Sequence, residues 1–388
     1  MDGAVGGDGD EVGADTWQAP EASHECASPL DRAGSSNDEA RALEVFDDGS
    51  FVVAGAILDD DESGQMGWGA GFDASGASRW ELSLPASQGS SRILALARRE
   101  GDGGLWALLE TGNDEVLLRL SVEGDIEGEL LLSERIDDAE LGVSIKDMSA
   151  VEGSVWLTGR LGGDLWVGRL DLEHDELETV LVEDQLGYID TGMRLARAAD
   201  ELAVAAKIES GPSSDGDLML VPPSHVLLVR FDLDGHELGR TALGEGEPLL
   251  AADIHALVAD GEGSWVVAGV RRPTNELLDL GEAWVEAVGA EQAWEWTRTS
   301  VLEDEVRVEA LLAGDGEVLA LGSESGQAWA MGLGRDGVPR WEYGFDDEGF
   351  DSVELLVAAW DPRGSLRTGG RAWLGQTPSL RTCLVVPP

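Results

Sequence analysis

Five short acidic stretches carry the clearest chemical potential in this chain. They are "NDEA" at Asn37, "IDDAE" at Ile136, "YID" at Tyr188, "LEDE" at Leu302 and "FDDEGFD" at Phe345. Each precedes an apolar, alternating run. If those runs line one ring, then Asp38, Asp138, Asp190, Asp304 and Asp347 crowd a single mouth. Crowded carboxylates repel one another, so they either hold a cation such as calcium or take raised pKa values. The competing explanation is composition alone: a chain this acidic places Asp in every loop.

Two long segments offer a different kind of site. "KIESGPSSDGDLMLVPPSH" (Lys207–His225) and "RRPTNELLDLGE" (Arg271–Glu282) interrupt otherwise short connections. Long loops on a rigid scaffold are where binding residues gather. Leu218, Met219 and Leu278 would offer apolar contacts there, and Arg271 with Arg272 a local positive spot. Loop drift without consequence is the plain alternative.

Other constellations are poorer. "FDLDGHE" from Phe231 looks like part of a calcium loop but lacks the distal Glu, and it coincides with a recurring Asp/Gly turn. The histidines are His24, His174, His225, His236 and His255; no HxH, HExxH or G-x-S-x-G occurs. Of these, His255 opens an apolar run and could face a channel, with a structurally satisfied or exposed histidine as the plain and commoner alternative. Cys26 and Cys383 lie in no CxxC pair, which argues against zinc. A quinone cofactor would need recurrent Trp motifs and cations, and both are sparse here.

The elements that must position these residues form a repeat. An apolar strand ending near Gly recurs as "GSFVVAG" at Gly49, "GGLWALL" at Gly103, "GSVWLTG" at Gly153, "DELAVAA" at Asp200, "GSWVVAG" at Gly263, "GEVLALG" at Gly316 and "GSLRTGG" at Gly364. A spacing of roughly 50 residues is that of propeller blades. Alternating strands flank each copy, and helix signals are weak. The expected fold is an all-β, seven-bladed propeller of four-stranded antiparallel blades.

The expected units are about 38–86, 90–134, 143–183, 190–243, 252–300, 305–345 and 351–388, after an acidic Gly/Asp-rich tail over 1–12. The last unit has three strands. "GADTWQAP" at Gly13 has the spacing of the fourth strands that carry Trp80 and Trp341, so residues 14–19 are expected to close the last blade. The two chain ends would then meet, and Cys26 and Cys383 become candidates for a bridge. Counting from the missing turn sets Cys383 opposite about Gln18, which works against that bridge.

Composition narrows the partners. The 388 residues include 77 Asp and Glu against 26 Lys and Arg, a formal net charge of −51. Only Lys146 and Lys207 are lysines. Such a field repels nucleic acid and anionic lipid, and it solvates the surface. No apolar run of about 18 residues is present, so no transmembrane helix is expected.

The stretch Trp341–Gly370 shows W-x-x-G, then Asp351, Ala359, Asp361, Gly364 and Gly369-Gly370. It resembles the bacterial seven-bladed β-propeller repeat of the SBBP type. Trp17, Asp38, Asp47, Gly49 and Gly55 match it more loosely. The resemblance implies an exported or surface-associated protein, that is, a periplasmic, outer-surface or secreted one. A Gly/Asp-rich stretch suits the segment between an export signal or lipid anchor and a folded domain.

The functional expectation is a non-catalytic binding or scaffold module: a monomer without an organic cofactor, with a protein or carbohydrate ligand and calcium as the candidate ion. Two alternatives stay open. One is a hydrolase or lyase using carboxylates at the channel mouth, which would show a buried acid of raised pKa beside a deep pocket. The other is an envelope-assembly scaffold offering an uncharged strand edge.

Overall fold

A computed structural model describes residues 23–386, apart from 28–38, 59–63, 85–88, 113, 138, 184–188, 210–223, 244–249, 262, 274–280, 290–292, 299–305, 315, 346–351 and 375–376. Its elements are β-strands with two single turns of 3₁₀ helix, Leu132–Glu134 and Ala139–Leu141. The first strand, β1 (Ser23–Ala27), stands apart from the strands that follow it.

Six four-stranded antiparallel sheets then follow in strict chain order. The first is β2 (Glu39–Val45), β3 (Phe51–Leu58), β4 (Gln65–Phe72) and β5 (Ser78–Leu84). The second is β6 (Ser91–Arg98), β7 (Leu105–Thr111), β8 (Asp114–Leu120) and β9 (Ile126–Leu131). The third is β10 (Val143–Val151), β11 (Ser154–Leu161), β12 (Asp164–Asp171) and β13 (Glu176–Glu183). The fourth is β14 (Ile189–Arg197), β15 (Glu201–Glu209), β16 (Ser224–Asp232) and β17 (Glu237–Leu243). The fifth is β18 (Leu250–Ala259), β19 (Trp265–Pro273), β20 (Glu282–Val288) and β21 (Trp294–Arg298). The sixth is β22 (Val306–Ala313), β23 (Glu317–Glu324), β24 (Gln327–Gly334) and β25 (Pro339–Gly344).

The remaining sheet contains β26 (Ser352–Trp360), β27 (Leu366–Leu374) and β28 (Thr377–Val386), with β1 beyond β28. The outer position expected for residues 14–19 is therefore occupied by Ser23–Ala27, and residues 14–19 lie outside the described residues. The Trp spacing misled because Trp does not mark an outer strand: β9, β13 and β17 have none. The register also differs from the sequence count. Cys26 pairs directly with Cys383.

The hydrophobic core lies between sheets rather than within one. Val52, Ala54, Ile93 and Leu105 join the first sheet to the second, and Ala203, Trp265 and Trp284 join the fourth to the fifth. Val357 and Ala359 of β26 pack on the cluster that holds Val53 and Trp68 of the first sheet. There Arg367 lies over the Phe51 ring and its Nη2 donates to the Ala74 carbonyl at 2.7 Å. Burial of apolar surface of this kind is the main stabilising term, since no single sheet covers both of its own faces.

One local device recurs in every sheet and sets up the site. The pairing of first to second strand slips by one residue, leaving Arg41, Leu94, Lys146, Met193, His255, Glu309 and Leu356 unmatched. A bulge of this type bends the strand and re-aims a side chain. It also brings first-strand backbone close to the second strand. A Cβ at Gly55, Gly159, Gly269, Gly322 or Gly370 would overlap the carbonyl oxygen of Glu39, Ser144, Asp253, Arg307 or Glu354, respectively. The repeated Gly of the second strand is therefore required by close approach. In the third strand, opposite four of these glycines, stand Trp68, Trp166, Trp284 and Trp329, all buried.

Candidate functional site

The seven bulged residues all line one cavity of about 710 Å³ between the first strands of the seven sheets. Its wall holds Arg41, Arg92, Lys146, Arg194 and Arg307, five of the chain's 26 Lys and Arg, with Glu39, Asp147 and Glu309 as the acidic lining residues. A protein of charge −51 thus has a cation-rich centre.

Half of this wall is tied by polar contacts between neighbouring sheets. Asp147 Oδ2 accepts the Leu195 N–H at 2.9 Å and Oδ1 accepts the Met148 N–H at 2.9 Å. Burial pushes the Asp147 carboxyl up against the opposing pull of Arg194 and those two N–H groups. Arg194 donates from Nε to the His255 carbonyl at 2.5 Å and from Nη1 to the Met193 carbonyl at 2.8 Å.

His255 Nδ1 lies 3.0 Å from the Val308 carbonyl oxygen and 3.1 Å from Glu309 Oε2. Both partners are acceptors, so Nδ1 carries a proton. Burial works to raise the Glu309 pKa, but the His255 bond and charge, with Arg307 and Arg194, outweigh it and hold the pKa low. The opposite wall is more apolar, with Leu43, Leu94, Leu96, Leu356 and Val357.

A second cavity of about 560 Å³ opens between the second and third sheets and shares Arg92 and Lys146 with the first. It also includes Glu110, Asp114, Glu115, Ser133 and Ser144. These residues sit where first strands begin and second strands end, so the crevice lies on the face expected to bear the ligand loops. Glu115 is only 4% exposed. Its Oε1 accepts the Ile145 N–H at 3.4 Å, a weak bond, and its Oε2 has no partner. Burial raises the Glu115 pKa to about 7 against the Ile145 N–H and Lys146; Glu110 and Asp114 push the same way as burial. Burial also lowers Lys146, with Arg92 and Arg160 adding to it and Glu110 and Glu115 opposing.

Of the expected acidic mouth, Asp190 is described; Asp38, Asp138, Asp304 and Asp347 lie outside the described residues. Asp190 is 1% exposed and its Oδ1 has no partner. Burial, then Asp164 and Glu183, raise its pKa to about 6, with Glu209 adding charge while its N–H opposes. The group with metal-ligating spacing among the described residues is instead Asp232, Asp234 and His236. It is the turn of the "FDLDGHE" stretch: Asp232 Oδ1 accepts the N–H groups of Asp234 at 3.0 Å and His236 at 2.8 Å. Asp73 and Asp361 make the same turn in other sheets.

The expected apolar rim (Leu218, Met219, Leu278) also lies outside the described residues. Arg271 is buried over the Trp284 ring, donates to Glu286 at 2.9 Å and pairs with Glu295. Arg272 bonds Asp253 at 2.6 Å, and Asp253 also accepts from Lys207 at 2.8 Å. Both arginines are thus engaged in ion pairs within the fifth sheet, and Lys207 reaches Asp253 from the fourth.

Sequence reasoning raised His255 as a residue that could face the channel, beside the plain reading of a structural histidine, and missed Arg41, Arg92, Lys146, Arg194, Arg307 and Glu115. One signal was available, because the first strands break their period of two at one residue.

No protein-family model matches the chain, and no curated protein sequence is similar to it. Solved structures match its fold. The polysaccharide lyase Uly1 is similar with a TM-score of 0.59 at 10% identity, covering 89% of this chain and 89% of that one. The Dos1 propeller is similar with a TM-score of 0.53 at 12% identity, covering 89% and 77%. The β-propeller domain of Cps50 (Swd1) from Myceliophteria thermophila reaches 0.53 at 10% identity, covering 89% and 96%. At such identities the likeness establishes the fold, a β-propeller of four-stranded antiparallel blades.

Proposed function

We propose that this chain is a non-catalytic binding or scaffold propeller that acts outside the cytoplasm and takes an acidic ligand in its central cavity. The observation that carries this is the gathering of Arg41, Arg92, Lys146, Arg194 and Arg307 around one cavity in a strongly acidic protein. Glu39 pairs with Arg41 at 2.6 Å and Glu309 with Arg307 at 3.5 Å, so the wall's own acids relieve part of this charge, yet the five cations outnumber the three lining acids; a bound anion would relieve the remainder. A carbohydrate or protein ligand bearing carboxylates fits this wall better than a neutral one. The SBBP-type repeat remains the proposed kinship, on Trp341, Asp351, Asp361 and Gly369-Gly370. The proposed ring has seven blades and is latched by pairing of β1 with β28.

The test is calorimetric titration of the full chain with acidic and neutral forms of the same oligosaccharide. Binding of the acidic form that falls at least about tenfold in an Arg41→Gln, Lys146→Met double variant is expected. Equal binding of acidic and neutral forms, or an unaffected double variant, would overturn the proposal.

One observation favours a second, catalytic reading as a hydrolase or lyase. Glu115, with its pKa near 7, faces a roomy crevice, as a general acid or base at neutral pH requires. Production of shortened saccharides by the wild-type protein but not by Glu115→Gln would support it. No turnover of any acidic polysaccharide tested would sink it.

A further inference from the structure

We propose that the crevice between the second and third sheets is a subsite for the carboxylate of a sugar-sized acid, held by Lys146 and Arg92 and hydrogen-bonded by the Glu115 carboxylic acid. This rests on the central cavity being an anion site and assigns the group recognised at its edge.

Three unmet polar positions converge there. Arg92 binds Glu110 Oε1 through Nη2 at 2.7 Å, which leaves its Nε buried without a partner. Lys146 makes no ion pair among the described residues and lines both cavities. Glu115 Oε2 is buried, unpartnered and part of the crevice wall. A buried polar atom left unbonded costs free energy, so such atoms in one cavity point to a missing partner. Protonated Glu115 turns its free oxygen into a donor. Lys146, the free Nε of Arg92 and the Glu115 O–H then offer three donors, beside the carboxylates of Asp114 and the Arg92-paired Glu110, and the partner these donors lack is an acceptor, best a charged one. A volume of about 560 Å³ accommodates a ligand of monosaccharide size, and Ser133, Ser144 and Asp114 offer partners for hydroxyl groups.

The surrounding charges support the neutral state of Glu115. Glu110 stands directly opposite it in the β7–β8 pairing, and Asp114 precedes it on its own strand. From β6 comes Arg92, already paired to Glu110. From β10 come Lys146 and the Ile145 N–H. Above the Glu115 pKa of about 7 its carboxylate would repel the ligand, so affinity must fall as pH rises through that value.

The test is titration of the full chain with D-galacturonate, D-galactose and inorganic phosphate at about pH 6 and about pH 8. Galacturonate is expected to bind about tenfold or more tightly than galactose, and to weaken by a similar factor at the higher pH. Glu115→Gln keeps a neutral donor, so it should bind at both pH values with a flat profile. Glu115→Leu should lose about tenfold in affinity, with its melting curve checked against wild type. If Glu115→Leu does not fold, the Glu115→Gln profile still decides: a pH dependence identical to wild type overturns the proposal. Loss of binding in Lys146→Met and Arg41→Gln with both Glu115 variants behaving as wild type would leave the channel proposal standing and remove this one. Phosphate binding more tightly than galacturonate, or galacturonate binding no better than galactose, would refute the assigned class.

Discussion

At the scale of single residues, Asp190 is an acid whose environment disfavours its charge. It is buried, its Oδ1 is unpartnered, and Asp164, Glu183 and Glu209 surround it. Its folded pKa of about 6 lies above its ordinary value of 3.8. The folded state therefore holds the proton more tightly between those values, and its stability falls as pH rises from about 4 to about 6. Asp190→Asn keeps the shape and removes the charge. It should stabilise the protein at about pH 8 by about 1–3 kcal/mol and do little at about pH 4. Urea unfolding of both proteins at the two pH values checks this, and equal stability at the higher pH would refute it. If a calcium ion sits there, millimolar calcium should stabilise the wild type and not Asp190→Asn, while magnesium at matched ionic strength should not substitute. The sequence displayed Asp190 as one of many loop carboxylates. It could not show that this one is buried, because burial arises from β12, β13 and β15 folding around it.

At the scale of elements, the second-strand "AG" endings were legible and their reason was not. Gly55, Gly159 and Gly269 are needed because a bulge one strand away presses a carbonyl against them. Gly159→Ala should therefore cost about 2–4 kcal/mol, read as a lowered melting temperature; an unchanged melt would show that the bulge relaxes freely. The Trp residues were weighted in the outer strands, yet the buried ones among the described residues are Trp68, Trp166, Trp284 and Trp329 of the third strands with Trp156 and Trp265 of the second. The outer strands β5, β9, β13, β17, β21 and β25 all carry Glu or Arg, which discourages pairing with another edge and argues against a strand-donating scaffold.

The proposed latch is testable at the same scale. Removing residues 1–22 leaves β1, whereas removing residues 1–27 deletes it and bares β28. The shorter truncation should melt like wild type, and the longer one should melt lower, on the order of 5 °C or more. Equal melting of the two would refute the latch. Cys26 and Cys383 stand directly opposite in an antiparallel pair, and the separation of such pairs suits a disulfide. A bridge there would close nearly the whole chain and contribute about 6 kcal/mol in a chain-entropy treatment. Thiol titration in denaturant without reductant should find none free, and two free thiols per chain would exclude the bridge.

At the scale of the whole molecule, a propeller of four-stranded blades was readable because its repeat is written in apolar period and turn residues. The cation-rich centre was not readable, because it is assembled from single residues about fifty positions apart, Arg41 and Lys146 at the bulge itself and Arg92, Arg194 and Arg307 within two residues of one. These two facts set opposing electrostatics. The net charge of −51 repels an acidic ligand at a distance, while Arg41, Lys146 and Arg307 attract it on contact. Salt separates the two. The Debye length falls from about 30 Å at 0.01 M to about 8 Å at 0.15 M. Repulsion acting across the whole molecule is then largely screened, whereas contacts inside a cavity are screened much less. Raising NaCl over that range should therefore speed association of an acidic oligosaccharide rather than slow it, the reverse of a site on a basic protein. The same screening relieves self-repulsion, so the melting temperature should rise in parallel. Stopped-flow association rates and thermal melts across the series measure both. An association rate that falls steadily with salt would show that the acidic surface exerts no long-range barrier, and a salt-independent melt would show that self-repulsion does not limit stability.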